Sequence, residues 1–386
     1  MLQVFTNANF RLMYGTKWYF IAFSVLSILV SGWAMATRGF NYGIDFAGGT
    51  AVQLKFQEAP HVEGLRASLE KAGLGDVNIQ RIGDTEDNEV LIRVEQQQKT
   101  DATGKGEGGE ISTQVLEALK SPEERAAVQA GKIDLNMASR AALQEWLGSR
   151  LPNASEVAEA VVRYRTEHKG LLASPAEVAA IPGVTPEAAT LLASQSTVGR
   201  FSLRSVDFVG PTAGAELLQN TAWLIVWSIL GILTYVWFRF RKWVWGVTSI
   251  IALTHDVFIA AGMISLTGKE FSLTVVAALL TILGYSIMDT IVVFDRIREN
   301  LRLYREAEFE QLVNASVNQT LSRTMLTSLS LLIALVALYM FGGDKLNPMS
   351  FCLLVGVGFG TYSSVFVAAA LLVITYRRFG LKYVKA

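Results

Sequence analysis

The sequence predicts a membrane α-helical protein with six transmembrane helices and one α+β domain outside the bilayer. Three observations predict it. Six apolar stretches each approach the ~20 residues that a bilayer core requires. Between the first and second stretches, short alternating runs replace continuous apolar ones, as strands and amphipathic helices require. The fourth stretch holds a single carboxylate, Asp289, where burying a charge costs ~2.5–3.5 kcal/mol on insertion scales. Composition narrows the function classes. The 386 residues are 51% hydrophobic and 18% charged with formal net charge zero, so no basic field points to nucleic acid. The one cysteine, Cys352, excludes an intrachain disulfide, and His61, His168 and His255 lie too far apart for metal-ligand spacing. No cofactor, metal or enzymatic chemistry is implied.

The chain divides as follows. Residues 1–17 form an N-terminal segment and 18–36 the first transmembrane helix, with an uncleaved helix favoured over a signal peptide despite the A-x-A pattern at Ala34 and Ala36. Residues 37–131 are the first part of the outside domain, 132–196 a helical insert, and 197–220 the return to that domain through its last strand. Residues 221–376 carry the other five spans, near 221–238, 244–266, 271–294, 324–341 and 349–376, and 377–386 form a tail. Basic residues cluster before the first span (Arg11, Lys17), between the second and third (Arg239, Arg241, Lys242), after the fourth (Arg296, Arg298, Arg302, Arg305) and at the C-terminus. The positive-inside rule then puts both termini in the cytoplasm and the long segment outside, in a periplasm or its equivalent.

Within the outside segment, strands are expected at 51–56, 77–82, 89–94 and 201–208, with helices at 62–72 and 111–119. The order β-α-β-β-α-β is that of a ferredoxin-like split unit. Residues 99–110 are Gly-rich and charged and predict a flexible loop. Residues 133–192 predict helix throughout, with Ser174 and Thr185 as N-caps. This insert resembles tandem helix-hairpin-helix domains through Ile133–Ser139, Tyr164-Arg165 and Ile181-Pro182-Gly183-Val184. Its basic and acidic residues balance, which removes the counterion-release drive for phosphate binding. A structural or protein-contact module is therefore expected, with no nucleic acid.

Asp289 needs a partner. Arg323 opens the fifth span from the same side, and a helix starting near Leu312 would bring the two to similar depth. Ser286 and Tyr285 lie one turn before Asp289, and Gln319, Thr320 and Thr327 flank Arg323, so these faces suit a hydrated path. Asp256, beside His255 at mid-span, is a candidate relay group. Asp295, Arg296, Arg298 and Glu299 are expected in a solvated turn, and Gly356, Gly358 and Gly360 on a packing face. Gly43, Asp45, Gly48 and Gly49 follow a membrane helix and precede a strand, the reverse of a nucleotide loop, and are expected to set a coupling turn. A static Asp289–Arg323 salt bridge remains the alternative to proton carriage.

The motifs NYGIDFAGGT at 41–50, VGP at 209–211 with Gly214, HDV at 255–257, GYSI at 284–287 through Asp289, FDRIREN at 294–300 and QTLSRT at 319–324 resemble those of the SecF family, in order and spacing. That resemblance covers about 300 residues, all but the insert. It implies an RND-superfamily membrane subunit that pairs with SecD, works with the SecYEG channel and SecA on exported unfolded polypeptide, and draws on the proton-motive force. It also implies residence in the bacterial inner membrane, in contact with lipid. Together with that resemblance, the residue reading makes Asp289, Arg323, Asp256, Ser286 and Thr320 the expected proton pathway, with Gly43, Asp45, Gly48 and Gly49 as the coupling motif. Met288 stands where the family commonly has Asn, and the insert is not a usual part of the outside domain. The rival classes are a proton-coupled small-molecule or lipid transporter subunit and a passive assembly scaffold.

Overall fold

The computed structural model describes residues 10–75, 77–82, 87–94, 107–168, 170–304 and 306–379. In chain order the elements are α1 (Lys17–Arg38), β1 (Asn41–Tyr42), α2 (Ile44–Ala47), β2 (Gly49–Phe56), α3 (Val62–Lys71), β3 (Val77–Ile82), β4 (Glu89–Val94), α4 (Glu107–Leu119), α5 (Pro122–Gln129) and β5 (Ile133–Asp134). There follow α6 (Arg140–Gly148), α7 (Ala154–Glu167), a 3-10 helix (Pro175–Ala180), α8 (Pro186–Gln195), β6 (Ser196–Thr197) and β7 (Phe201–Val209). The remainder is α9 (Pro211–Phe240), α10 (Trp243–Thr267), β8 (Glu270–Phe271), α11 (Leu273–Leu303), α12 (Phe309–Phe341), α13 (Gly343–Tyr362), a π-helical turn (Ser363–Ala368) and α14 (Ala369–Phe379). The chain forms two units, 46–215 and the remainder.

The unit of residues 46–215 is built on a four-stranded antiparallel sheet in the order β3-β4-β2-β7. Alternation in β2 and β4 sends Val52, Leu54, Phe56, Val90, Ile92 and Val94 into one core with Leu65 and Leu69 of α3 and Val115 and Leu119 of α4. Helix α3 is N-capped by His61, whose Nδ1 accepts from the Gly64 N–H at 3.3 Å. The loop expected at 99–110 is only partly described: 99–106 lie outside the described residues, and from Glu107 the chain is already helical. Helix α5 was not expected, although Ser121 and Glu124 form a capping box in the S-x-x-E pattern.

The insert has its own core of Leu135, Leu143, Leu147, Val157, Val161, Leu172, Val178, Ile181 and Leu192. It is not helical throughout. Ile133–Asp134 pairs in parallel with Ser196–Thr197, so the chain enters and leaves by adjacent strands, and helix begins only at Arg140 after the Ser139 cap. Thr185 caps α8 as expected, whereas Ser174 makes no side-chain cap and the helix after it is 3-10.

Among its described residues the second unit contains six helical spans long and apolar enough to cross a membrane: α1, α9, α10, α11, α12 and the continuous run α13–π-turn–α14. α10, α11 and the last run form its buried centre, while α1, α9 and α12 leave most of their apolar residues exposed, as lipid contact permits. Three helices run past their apolar stretches. α9 starts at Pro211, ten residues before 221, α11 continues nine residues beyond Phe294, and α12 starts at Phe309 rather than near 324. Asp295, Arg296, Arg298 and Glu299 therefore lie within α11 and not in a turn. Asp295 pairs with Arg239 at 2.6 Å, and Arg296 donates to Gln319 of α12 at 2.6 Å.

Candidate functional site: carboxylates inside the membrane unit

Asp256 sits near the middle of α10 and is 0% exposed. A carboxylate so placed requires donors, and three neighbours supply them. His255 Nδ1 meets Oδ1 at 2.8 Å, while Ser286 Oγ of α11 and Ser363 Oγ of the π-turn donate to Oδ2 at 2.6 and 2.7 Å. The serines are brought in by close helix approach. A Cβ on Gly356 would collide with Ile282, and one on Gly360 would lie 3.2 Å from the Ser286 Cβ, so two of the three glycines in that series let α13 settle on α11. Around the next turn Thr290 and Ser364 share a hydrogen bond at 2.9 Å.

Asp289, 8% exposed, lies one turn beyond Ser286 on α11. Its charged neighbour is Arg323 of α12, acting through space; among the described residues no ion pair within 4.0 Å joins them. Ser328 lies beside the carboxylate. Its hydroxyl hydrogen is already given to the Thr324 carbonyl at 2.8 Å, and it accepts from Tyr285 at 2.9 Å and Thr361 at 2.7 Å. Oδ2 of Asp289 is buried without a hydrogen-bond partner. Arg323 lies on the exposed face of α12. Met288 is 67% exposed, so the side chain at that position leaves the interior of this unit.

The expected proton-path residues thus separate. Ser286 does not line Asp289 but serves Asp256, because its side chain leaves α11 on the face that meets α10. Thr320 is buried, yet its hydroxyl turns back to the Ser316 and Val317 carbonyls of its own helix. Sequence reasoning missed Ser328, Thr361, Ser363, Ser364 and Thr290. For Thr361, Ser363 and Ser364 the signal available was a group of hydroxyl residues following the glycine series in the last span.

The motif after α1 divides between the units. Gly43 N–H donates to the Phe271 carbonyl at 3.0 Å and continues the parallel pairing of β1 with β8. A Cβ there would strike the Glu270 carboxylate. Asp45 Oδ2 accepts from the Leu273 N–H at 2.8 Å and caps α11 from a distant part of the chain, which the cap residue Ser272 does not do. Gly48 and Gly49, with φ of 72° and 117°, make the left-handed turn into β2 that residues with a Cβ adopt only under strain. Gly214 packs against the Phe46 carbonyl in the same unit.

A further ion cluster ties three helices of the membrane unit. The Lys17 Nζ–Glu310 Oε1 pair is 2.5 Å long and buried, and Arg377 of α14 bonds the other oxygen of Glu310.

Fold and site define an integral membrane protein whose carboxylates are gathered inside its helical unit. The family model for "Protein export membrane protein SecD/SecF, C-terminal" matches residues 190–378, and that for the "SecD/SecF GG Motif" matches 33–60. Protein translocase subunit SecF of Koribacter versatilis is 37% identical over 393 residues, covering 96% of this chain and 93% of its own. Protein translocase subunit SecDF of Thermus thermophilus is 37% identical over 367 residues, 95% of this chain and 38% of the relative. The crystal structure of SecDF from Thermus, described as a translocon-associated membrane protein, superposes with a TM-score of 0.64 at 32% identity, over 96% of this chain and 39% of that one. The chain belongs to the SecF family of protein translocase subunits.

Proposed function

We propose that this chain is the SecF-type half of an export complex of the RND superfamily that draws polypeptides outward at the expense of the proton-motive force. Asp289 carries the proton and Arg323 sets how readily it is bound. One observation carries the reading: an oxygen of Asp289 is buried without a hydrogen bond, and Arg323, its charged neighbour, makes no ion pair with it within 4.0 Å. A static bridge would close that distance and fill the vacant acceptor, whereas a group that loads and unloads needs it free. The gradient supplies about 2.3 kcal/mol per charge per 100 mV, and no nucleotide loop offers another source.

The partner follows from the longer relative, in which a SecD-like portion and a SecF-like portion form one SecDF chain. A SecD-type partner fills that place here, and SecYEG, SecA and the unfolded exported chain complete the assembly. The β-α-β-β-α-β unit is a ferredoxin-like periplasmic domain, and both termini are cytoplasmic by the basic residues flanking the spans. Asp45 caps α11, the helix carrying Asp289, from the segment leaving α1.

The test is export in cells or vesicles. Asp289→Asn and Arg323→Ala are expected to abolish gradient-dependent stimulation while the chain still inserts and still co-purifies with SecD. Wild-type export by Asp289→Asn would eliminate the carrier role.

A further inference from the structure

Resting on the reading that the membrane unit handles protons, we infer that His255, Asp256, Ser286 and Ser363 form a second proton-binding site, separate from Asp289–Arg323, in which Ser363 is the positioning residue that turns when Asp256 takes up a proton.

The geometry supports a two-state site. In the arrangement observed, Oδ2 of Asp256 accepts two hydroxyl hydrogens and Oδ1 faces His255 Nδ1. That gives an ionised carboxylate three partners for its roughly four acceptor sites and leaves Oδ2 with both of its own filled. When a proton from the aqueous phase bonds to Oδ2, that oxygen becomes a donor and one serine hydroxyl must turn to receive it. Ser363 has a ready alternative for its own hydrogen, the Gly360 carbonyl at 3.1 Å. Ser286 Oγ, by contrast, has no second acceptor among the described residues. Ser363 is therefore the hydroxyl that turns, and the tie between the last helix and α10 weakens with it.

The imidazole is a poor place for the charge. His255 Nε2 is buried without a partner, and the ring lines a 460 Å³ cleft whose other walls include Ile21, Val25, Ile28, Ile251 and Phe258. A second N–H there would have no acceptor, so the proton resides on Asp256. Few other titratable groups face it. Tyr362 of α13 stands with its ring centroid 6.5 Å from that of His255 and gives its hydroxyl hydrogen to the Phe20 carbonyl. α11 contributes Asp289 about one turn beyond Ser286, and α1 has no charged residue between Lys17 and Arg38. Cys352 is about two turns from Gly360 on α13, and Tyr376 lies more than three turns beyond Ser363 on α14.

The π-helical turn itself fits this role. A wide turn places Ser363 and Ser364 in register with both α10 and α11, costs backbone regularity, and is frequent at functional sites. The Ser363 bond, reversed and no longer charge-assisted, holds the turn less tightly, which makes it the element that the proton on Asp256 biases.

Infrared difference spectra of the full chain in lipid vesicles, recorded against pH, test the site through carboxylic-acid C=O bands. Two such bands are expected, one lost in Asp256→Asn and the other in Asp289→Asn. Ser363→Ala should move the midpoint of the Asp256 band by about one pH unit or more, since a hydrogen bond to a charged group is removed, and leave the Asp289 band unmoved as an internal control of folding. Retention of every band in Asp256→Asn, or an unmoved midpoint in Ser363→Ala, overturns the proposal. If Asp256→Asn does not insert, Ser286→Ala and Ser363→Ala must both shift the same band; failure of either to do so overturns it equally. An absent Asp289 band with the Asp256 band intact would overturn the proposed carrier role and leave this site standing.

Discussion

Asp134, in the insert, is a buried aspartate whose partners are main-chain rather than side-chain groups. Its Oδ1 accepts from the N–H groups of Asn136 at 2.9 Å and Gly199 at 3.0 Å. Burial pushes its carboxyl above the usual range against the pull of those bonds, and the same burial depresses Arg165 nearby. Because the folded carboxyl binds its proton more tightly than the unfolded one, its contribution to stability is greatest at low pH. That contribution falls as pH rises from the ordinary carboxylate range through the raised value. Asp134→Asn is expected to remove this pH dependence and to be nearly neutral, since an amide oxygen still accepts. Asp134→Ala leaves two buried N–H groups unpaired at about 1–3 kcal/mol each. Amide exchange at Asn136 and Gly199 in the full chain, followed against pH, distinguishes the variants. At this scale Asp289 was legible because a carboxylate in an apolar run is conspicuous. Ser363 was not, because a serine in a membrane helix costs little and its position says nothing of which helix it will meet.

At the scale of elements, apolar length located all six membrane helices but misjudged three ends. α12 begins far before its apolar stretch because its first turns satisfy polar groups inside the protein. Asn314 Oδ1 accepts from the N–H groups of Leu12 at 2.8 Å and Met13 at 3.1 Å, and Asn318 bonds both the N–H and the carbonyl of Phe10 at 2.9 Å. Two asparagines one turn apart thus read the main chain of the segment before α1 as a neighbouring strand would. Asn314→Ala is expected to lower the stability of the solubilised chain by about 2 kcal/mol and to speed amide exchange at Leu12 and Met13. Unchanged exchange at those two amides would refute the clamp. Hydropathy is blind to such a helix start, since it counts Asn as a penalty whether or not it has a partner.

At the scale of the molecule, the insert is self-contained. Its core is distinct from that of the sheet, and its ends leave side by side at Ile133–Asp134 and Ser196–Thr197. Replacing residues 135–195 by a short Gly-Ser linker should therefore preserve the sheet, seen as retained protease resistance of the remaining strands. The losses are the bond from Gln57 to the Leu172 carbonyl at 2.8 Å, the bond from Asn136 Nδ2 to the Gly199 carbonyl at 2.7 Å, and the packing of Met137 on the sheet core. With basic and acidic residues balanced across the insert, the full chain is expected not to retard DNA even at low salt.

The sequence by itself determined the number of apolar spans, the four strands of the sheet and the helices packed on them, and the one acid that demanded an explanation. Each of these is a matter of periodicity or of transfer cost, and both are written along the chain. Tertiary structure alone decided that Ser286 serves Asp256 and not Asp289, that Asp45 caps a helix more than two hundred residues away, and that a π-turn carries Ser363 to the buried carboxylate. Those pairings depend on which faces of packed helices meet, and side-chain direction across an interface is set by the neighbour rather than by local sequence.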